Sequence, residues 1–416
     1  MRGATAAETA TADTLEALAW AALASAPGVG PVTFARLIAS FGTASAVLEV
    51  ALRRDGARAL VAATAGESGA PSLTPAGAAA VADAALPASR AALRDAIVAA
   101  GVAVLTLADT AYPGRLRAID DPPPVLYVRG DPAALARERS VAVVGTRRPT
   151  APGRAFAARI AESVAERGAT VVSGLAYGID AAAHAATVRL GRPTVAVIGG
   201  GHGRLYPAAH RQLTRGIVAA GGVVVSELAP DVEPNRGTFP RRNRIISGLA
   251  DATVVVEAGI RSGALTTAVW ALQQGRGLHM VPGRPGDPAV AGTLAFLREA
   301  GPEARVVAGI PELLEDLGLL ASAADHGGRR VADAVALAGL GAAELAVATA
   351  LSRGAETVDR LSDETGMPPA AILGALTMLE MRGLVIDVFG RYRPVGNGAA
   401  RPRRVQVRPA ARLSAG

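Results

Sequence analysis

Three arginines occur within four consecutive positions of residues 239–244, where a helix is predicted to begin. Positive charges at a helix N-terminus oppose the helix macrodipole, so the stability of the helix does not explain them. An external anion would explain them, whereas a solvated charge cluster is the alternative. The flanking Phe239 and Ile245 are apolar and are predicted to be buried, which would fix the arginines in place. The predicted anion contacts here are Arg241, Arg242, Asn243 and Arg244.

Two glycine-containing loops have the composition of phosphate cradles. The first, at 145–153, connects a predicted strand to a helix that begins near Arg154. Glycine permits close backbone approach, free amides and a hydroxyl donate hydrogen bonds, and an arginine supplies charge. The second loop occupies 173–180, and the glycine run at 199–201 is a weaker signal. The predicted contacts in the two loops are Gly145, Thr146, Arg147, Ser173 and Gly174.

Three titratable side chains near these loops could have chemical roles. Asp180 stands where it would cap the helix that follows its loop, and we favour this over a role as a catalytic acid. His184 lies one turn further on and is predicted to make a structural hydrogen bond. Glu257 follows a predicted strand; it could be a catalytic base, but pairing with Arg242 or Arg244 is favoured.

Several reaction classes are excluded by missing residues. The chain has no Cys, which rules out thiolate nucleophiles, disulfides and cysteine-ligated metals. It also lacks a Walker-type phosphate loop, a nucleophile elbow and any metal-ligand spacing. We therefore expect no catalytic residue, no metal and no cofactor. Phosphate cradles without reactive groups favour a protein that binds the backbone of single-stranded nucleic acid.

The charge balance of the 416 residues points to a similar partner. There are 43 basic and 36 acidic residues, a formal net charge of +7, and every basic residue is Arg. Arginine matches phosphate geometry, although a GC-rich genome would also favour it over lysine. No stretch is long and apolar enough to span a membrane, and acidic residues interrupt the first twenty positions. A soluble cytoplasmic protein is expected.

Short β-branched runs, each followed by a glycine-containing loop and a helical pattern, recur in the middle of the chain. Apolar runs of this length suit strands buried on both faces, and alternation with helices predicts a parallel, doubly wound sheet. The fold class is therefore α/β with a Rossmann-like body. The predicted strands are 141–144, 170–172, 194–198, 223–225, 253–256 and 278–281.

The regions flanking this body differ from it in composition. Residues 1–85 read as a helical domain whose segment 27–31, Pro-Gly-Val-Gly-Pro, resembles a helix-hairpin-helix or SAM-like turn, although glycines needed only for close packing would look the same. The body is assigned to 86–317 and an Ala/Gly-rich linker to 318–340. A winged helix is predicted at 341–396, followed by a basic disordered tail at 397–416.

The predicted winged helix lacks the charge expected of a DNA reader. Its candidate recognition helix at 370–380 contains no Arg. Winged helices that enter a DNA groove place base- and phosphate-contacting side chains on this helix. We therefore favour a protein contact or a structural role for this domain.

Taken in order, these segments resemble the DNA-processing protein A (DprA/Smf) family. The resemblance begins at residues 112–116, Tyr-Pro-Gly-Arg-Leu, continues through 121–130 and includes the loops described above. It implies a non-enzymatic protein that binds and protects incoming single-stranded DNA, forms a homodimer and helps load the RecA recombinase in natural transformation. By motif, it assigns DNA contacts to the nine residues predicted above.

Two positions depart from the family pattern. Leu294 stands where the family usually has Asn, so a contact that depends on that Asn is in doubt. Tyr177 occupies a position where many members have Arg, which would remove a phosphate contact. The main alternative function is a nucleotide phosphoribohydrolase of the related Rossmann-like class, but its Pro-Gly-Gly-x-Gly-Thr motif is not matched at 261–266. A regulator of double-stranded DNA acting through the winged helix is a third hypothesis.

Overall fold

The computed structural model describes residues 6–66, 70–235, 237–320, 340–352, 355, 357–382, 384–388 and 391–394. The chain divides into two compact units, Met1–Leu320 and Ala321–Gly416. Of the predicted segments, most of the linker and the basic tail lie outside the described residues. Among the described residues, no single helix is long and apolar enough to cross a membrane, although the helices Pro31–Phe41 and Ala44–Ala51, bent by 89° relative to each other, pass that test as a pair.

Six helices within the described residues precede the sheet and bury a core made mostly of Ala, Val and Leu side chains. The turn between the first two contains Gly28, whose φ of +88° favours glycine, and Gly30 precedes the second helix. This is the predicted helix-hairpin-helix. The first helix also packs on the sheet, where Ser25 Oγ lies 3.3 Å from Tyr127 Oη. The helices are α1 Ala6–Ser25, α2 Pro31–Phe41, α3 Ala44–Ala51, α4 Gly56–Ala63, α5 Pro75–Ala85 and α6 Pro87–Ala100.

A nine-stranded sheet forms the centre of the first unit, in the order β1-β2-β6-β5-β4-β3-β7-β8-β9. Strands β3 to β9 are parallel, whereas β1 and β2 form an antiparallel edge beside β6. The strands are β1 Ala103–Thr106, β2 Val125–Gly130, β3 Ser140–Val144, β4 Thr170–Ser173, β5 Thr194–Val197, β6 Val223–Ser226, β7 Ala252–Val255, β8 Gly277–Met280 and β9 Ala304–Val306. The six predicted strands are confirmed as β3 to β8, and β1, β2 and β9 were missed.

Helices cover both faces of this sheet. One face is buried under α8, α9, α10 and α14, and the other under α11 and α12. The α/β fold class is thus confirmed, with an antiparallel edge added. The helices of the body are α7 Gly114–Arg117, α8 Ala151–Glu166, α9 Ile179–Arg189, α10 Arg211–Ala219, α11 Thr238–Gly248, α12 Gly263–Gln273, α13 Ala291–Ala300 and α14 Ile310–Asp316.

The second unit contains the predicted winged helix. In the described part of this unit, three helices surround a small core that includes Leu361, Ile372 and Leu379, and two antiparallel strands follow them. The exposed positions of the last helix include Leu373 and Met378. The elements are α15 Ala342–Ser352, α16 Val358–Thr365, α17 Pro369–Met381, β10 Val385–Val388 and β11 Arg391–Pro394.

Candidate nucleic-acid interface

The strand order reverses between β3 and β7, and a cleft opens there at the carboxyl edge of the sheet. The helix after β3 covers one face and the helix after β7 covers the other, so the loops at 145–150 and 256–262 diverge. The Thr146 amide donates to the Glu257 carbonyl oxygen at 2.7 Å and holds the two loops together. Such a reversal point is where open α/β sheets bind ligands. The cleft has a volume of about 870 Å³.

Glu257 fixes the start of α8, so the predicted pairing with Arg242 or Arg244 is wrong. Its buried carboxylate accepts hydrogen bonds from the Thr150 amide at 2.9 Å and from the Thr150 hydroxyl at 2.5 Å. Gly153 packs against this carboxylate, where a Cβ atom would collide with it. Both carboxylate oxygens of Glu257 accept hydrogen bonds from the turn between β3 and α8. The positions of the charged residues in the sequence do not indicate this contact.

The arginines of α11 have different surroundings. Arg244 is fully buried and pairs with Glu227 at 2.8 Å and with Asp121 at 2.8 Å. Burial alone would lower its pKa, but these carboxylates raise it. Arg241 is exposed and lies 3.6 Å from Glu227. Arg244 therefore neutralises acids inside the body, and only Arg241 of this pair is open to solvent.

Arg242 and Asn243 lie between these extremes, in the inner wall of the cleft. Arg242 is 4% exposed and donates through Nη1 to the carbonyl oxygens of Gly174, at 2.6 Å, and Val197. Burial lowers its pKa to about 10. Gly174 must lack a side chain because a Cβ atom would strike the Arg242 guanidinium. Asn243 donates to the Gly263 carbonyl oxygen at 3.1 Å, which ties α11 to the start of α12.

Three of the nine predicted residues form the cleft surface from the β3 side. Gly145 and Thr146 are half-buried and Arg147 is exposed, and all three line the cleft. Ser173 is buried and donates to the Val143 carbonyl oxygen at 2.6 Å. The structure thus brings the nine residues to one region but divides them between a solvent-facing rim and an internal framework. Their contact with DNA stays a prediction.

Arg147 is common to three adjoining cavities, which we together call the rim groove. Its guanidinium carbon lies 5.2 Å from the centroid of the Phe239 ring, a cation–π geometry. Tyr206 meets the same ring edge-on at 5.8 Å. Beyond Arg147, a cavity of about 580 Å³ is lined by Arg148, Arg154, Tyr177 and His210, and a small cavity near Phe239 joins it to the cleft. Positively charged side chains and aromatic rings therefore line the groove together.

Sequence reasoning missed three arginines of the rim groove. Arg148, Arg154 and Arg261 are exposed and line its cavities. Within the described ranges, none of them forms an ion pair, and neither does Arg147. Arg154 lies in the first turn of α8, so the argument applied to α11 could have found it. Arg261 lies in the loop between β7 and α12.

Asp180 was predicted to cap α9, and this prediction is wrong. Gly178 holds the cap position, and Asp180 is the second residue of the helix. Its carboxylate accepts hydrogen bonds from the amides of Gly174 at 3.1 Å and Ala176 at 3.3 Å. Burial raises the pKa of this carboxyl, and the charge of Arg242 opposes that shift. Asp180 thus holds the preceding loop in shape and lines the cleft.

His184 has the structural role that was predicted. Its Nδ1 lies 2.9 Å from the Thr194 hydroxyl, which donates to the Val171 carbonyl oxygen, so Nδ1 carries the proton. Complete burial lowers its pKa to about 3. Of the two departures from the family pattern, Tyr177 is 43% exposed at the groove and Leu294 lies on α13, outside the cleft lining. The described residues contain no cluster of His, Asp or Glu suited to a metal ion.

Comparison with known proteins identifies three domains of one family. Residues 103–318 match the sequence model of DNA recombination-mediator protein A. Residues 14–68 match the DprA-like N-terminal HHH domain, and residues 331–390 match the DprA winged helix domain.

Individual relatives agree with these matches. A DprA-named protein of Mycobacterium tuberculosis is 42% identical over 299 residues, which are 70% of this chain and 75% of the relative. DNA processing protein DprA of Bacillus subtilis is 36% identical over 217 residues, 52% of this chain and 72% of the relative. The X-ray structure of DNA processing protein A from Streptococcus pneumoniae superposes with a TM-score of 0.53 at 30% identity, covering 65% of this chain and 95% of that one.

Proposed function

The chain belongs to the DNA recombination-mediator protein A family, and on that premise we propose that it binds single-stranded DNA along the rim groove without altering it chemically. The observation that carries this proposal is the set of four exposed arginines, Arg147, Arg148, Arg154 and Arg261, that line adjoining cavities without an ion pair among the described residues. Unpaired guanidinium groups along one groove match a chain of phosphates.

The geometry of the groove favours one strand over two. The cavities lie at a sheet edge between loops, and the helices that border them, α8, α9, α11 and α12, pack on the faces of the sheet. A helix that reads duplex DNA would instead enter the major groove. The rings of Phe239, Tyr206 and Tyr177 line or border the cavities at the same edge, where unpaired bases could stack. Bases within a duplex would be stacked on one another and could not reach these rings.

We further propose the finer roles that the resemblance implies. The protein would act as a homodimer in the cytoplasm, protect incoming single strands and pass them to a RecA-type recombinase during natural transformation. Catalysis is not part of this proposal. Asp180, the acid that lines the cleft, is already engaged by two backbone amides, and Glu257 is engaged by Thr150.

A competition experiment tests the binding proposal. A labelled single strand is bound by the full chain, and unlabelled single or double strands of the same sequence are added at two salt concentrations. We expect the single strand to compete at least tenfold better than the duplex, because stacking on the groove requires unpaired bases. Equal competition would contradict the proposal, and a duplex that competes better would favour the winged-helix regulator hypothesis.

A further inference from the structure

The floor of the cleft between β3 and β7 is less positive than its rim. The rim carries Arg147, Arg148 and Arg261, whereas the floor carries the carboxylate of Asp180 together with the guanidinium of Arg242, each 4% exposed. Asp180 balances the charge of Arg242, so a phosphate at the floor would add a negative charge without a free cation in a partly desolvated site, which is costly. Phosphates are therefore expected to stay on the rim, and some other part of the strand must meet the floor.

The walls above the floor suit a flat aromatic ring. They are formed by apolar side chains from β3, α11 and α12. A nucleobase placed between such walls buries its faces and directs its polar edge inward. The apolar wall residues are Val144, Phe239, Pro240, Ile246 and Ala264.

The polar groups of the floor have unused hydrogen-bonding capacity. An ionised carboxylate has about four acceptor sites, and Oδ2 of Asp180 accepts the amides of Gly174 and Ala176. The neighbouring Ser173 hydroxyl donates to Val143. Thr267 lines the same cleft, and its hydroxyl makes no hydrogen bond among the described residues. A hydroxyl can both donate and accept, so it can pair with either kind of group on a ligand edge.

Resting on the proposed function, we infer that this floor is a slot for a single nucleobase that carries an exocyclic amino group, with Asp180 as the acceptor. Cytosine, adenine and guanine each present an amino donor, whereas thymine presents a carbonyl oxygen at the corresponding position. That carbonyl oxygen would face the carboxylate without a proton between them. Asp180 is thus assigned as a residue that determines base preference.

One such slot is compatible with a protein that must accept many sequences. A mixed-sequence strand can shift its register until an amino-bearing base reaches the floor, while the rim arginines hold whichever phosphates are adjacent. The preference is therefore visible only in homopolymers, and it is modest. Single-strand binders commonly show such small preferences beside a dominant backbone term.

The test compares two single-stranded DNA homopolymers of about 16 nucleotides, oligocytidine and oligothymidine. Their bases share ring size and differ at the exocyclic group. We expect the full chain to bind oligocytidine about fivefold more tightly, the lower end of the discrimination that a base-edge contact provides. Asp180→Asn offers an N–H to the thymine carbonyl, so the preference should disappear or reverse. Asp83→Asn, at an exposed site on α5, is the control and should keep the wild-type ratio.

A second variant guards against a folding defect in Asp180→Asn. Thr267→Val has nearly the same shape but removes the unpaired hydroxyl, and we expect it to reduce the preference for cytosine while thermal unfolding stays close to wild type. Equal binding of both homopolymers by the wild-type chain, or tighter binding of oligothymidine, would overturn the base slot and leave the proposed function standing. Absence of binding to either homopolymer would overturn both.

Discussion

Arg244→Ala is expected to lower the free energy of unfolding by about 3–5 kcal/mol. The guanidinium of Arg244 is buried and pairs with Glu227 and Asp121. The Glu227 side chain is itself only 8% exposed, so the substitution would leave a buried carboxylate without its main partner. Urea unfolding followed by circular dichroism measures the change. Loss of DNA binding in this variant would follow from unfolding and not from a lost contact.

Arg241→Ala is the matched control, since it removes the same side chain from the same helix. Arg241 is exposed and its distance to Glu227 is 3.6 Å, so we expect a loss below about 1 kcal/mol. An Arg244→Ala protein with wild-type stability and no affinity for single strands would make Arg244 a direct DNA contact, as its motif implied, and would contradict the framework role.

Arg147→Ala is expected to weaken single-strand binding by at least tenfold at constant salt. Arg147 borders all three cavities of the rim groove and lies over the Phe239 ring. Removing it takes away a charge-assisted contact to phosphate, worth about 1.5–3 kcal/mol. Because the side chain is exposed and forms no ion pair among the described residues, stability should change little.

Arg192→Ala provides the comparison for Arg147. Arg192 is also exposed, but it precedes β5 and therefore lies at the opposite edge of the sheet. Fluorescence anisotropy with the same oligonucleotide should give wild-type affinity for this variant. If both substitutions weaken binding equally, the arginines act through overall charge and the groove has no special role.

The sheet and its functional edge could be predicted from sequence because both follow from local patterns. Three- to five-residue apolar runs such as those at 141–144 and 223–225 suit strands buried on both faces. Once the strands are parallel, their following loops must share one edge. The missed strands lie at the margins: β9 has three residues, and β1 and β2 form an antiparallel pair outside the strand-helix alternation.

The roles of individual charges could not be predicted, since they depend on partners that are distant in sequence. Arg244 is buried because Asp121, 123 positions away, and Glu227 meet it in the fold. Arg241, three positions earlier, has the same residue type and the same helix but faces solvent. Glu257 was misassigned for a related reason: Thr150 supplies a nearer set of donors than any arginine.

The salt dependence of single-strand affinity tests the central claim most directly. The groove variant carries Arg147→Ala, Arg148→Ala and Arg261→Ala, and the control carries Arg159→Ala, Arg167→Ala and Arg192→Ala at exposed sites outside the groove lining. On single strands the slope of log affinity against log salt is about −0.7 for each phosphate neutralised. We predict that the slope becomes shallower by about 2 in the groove variant and is unchanged in the control; equal slopes in the two folded variants would contradict phosphate binding by the rim groove.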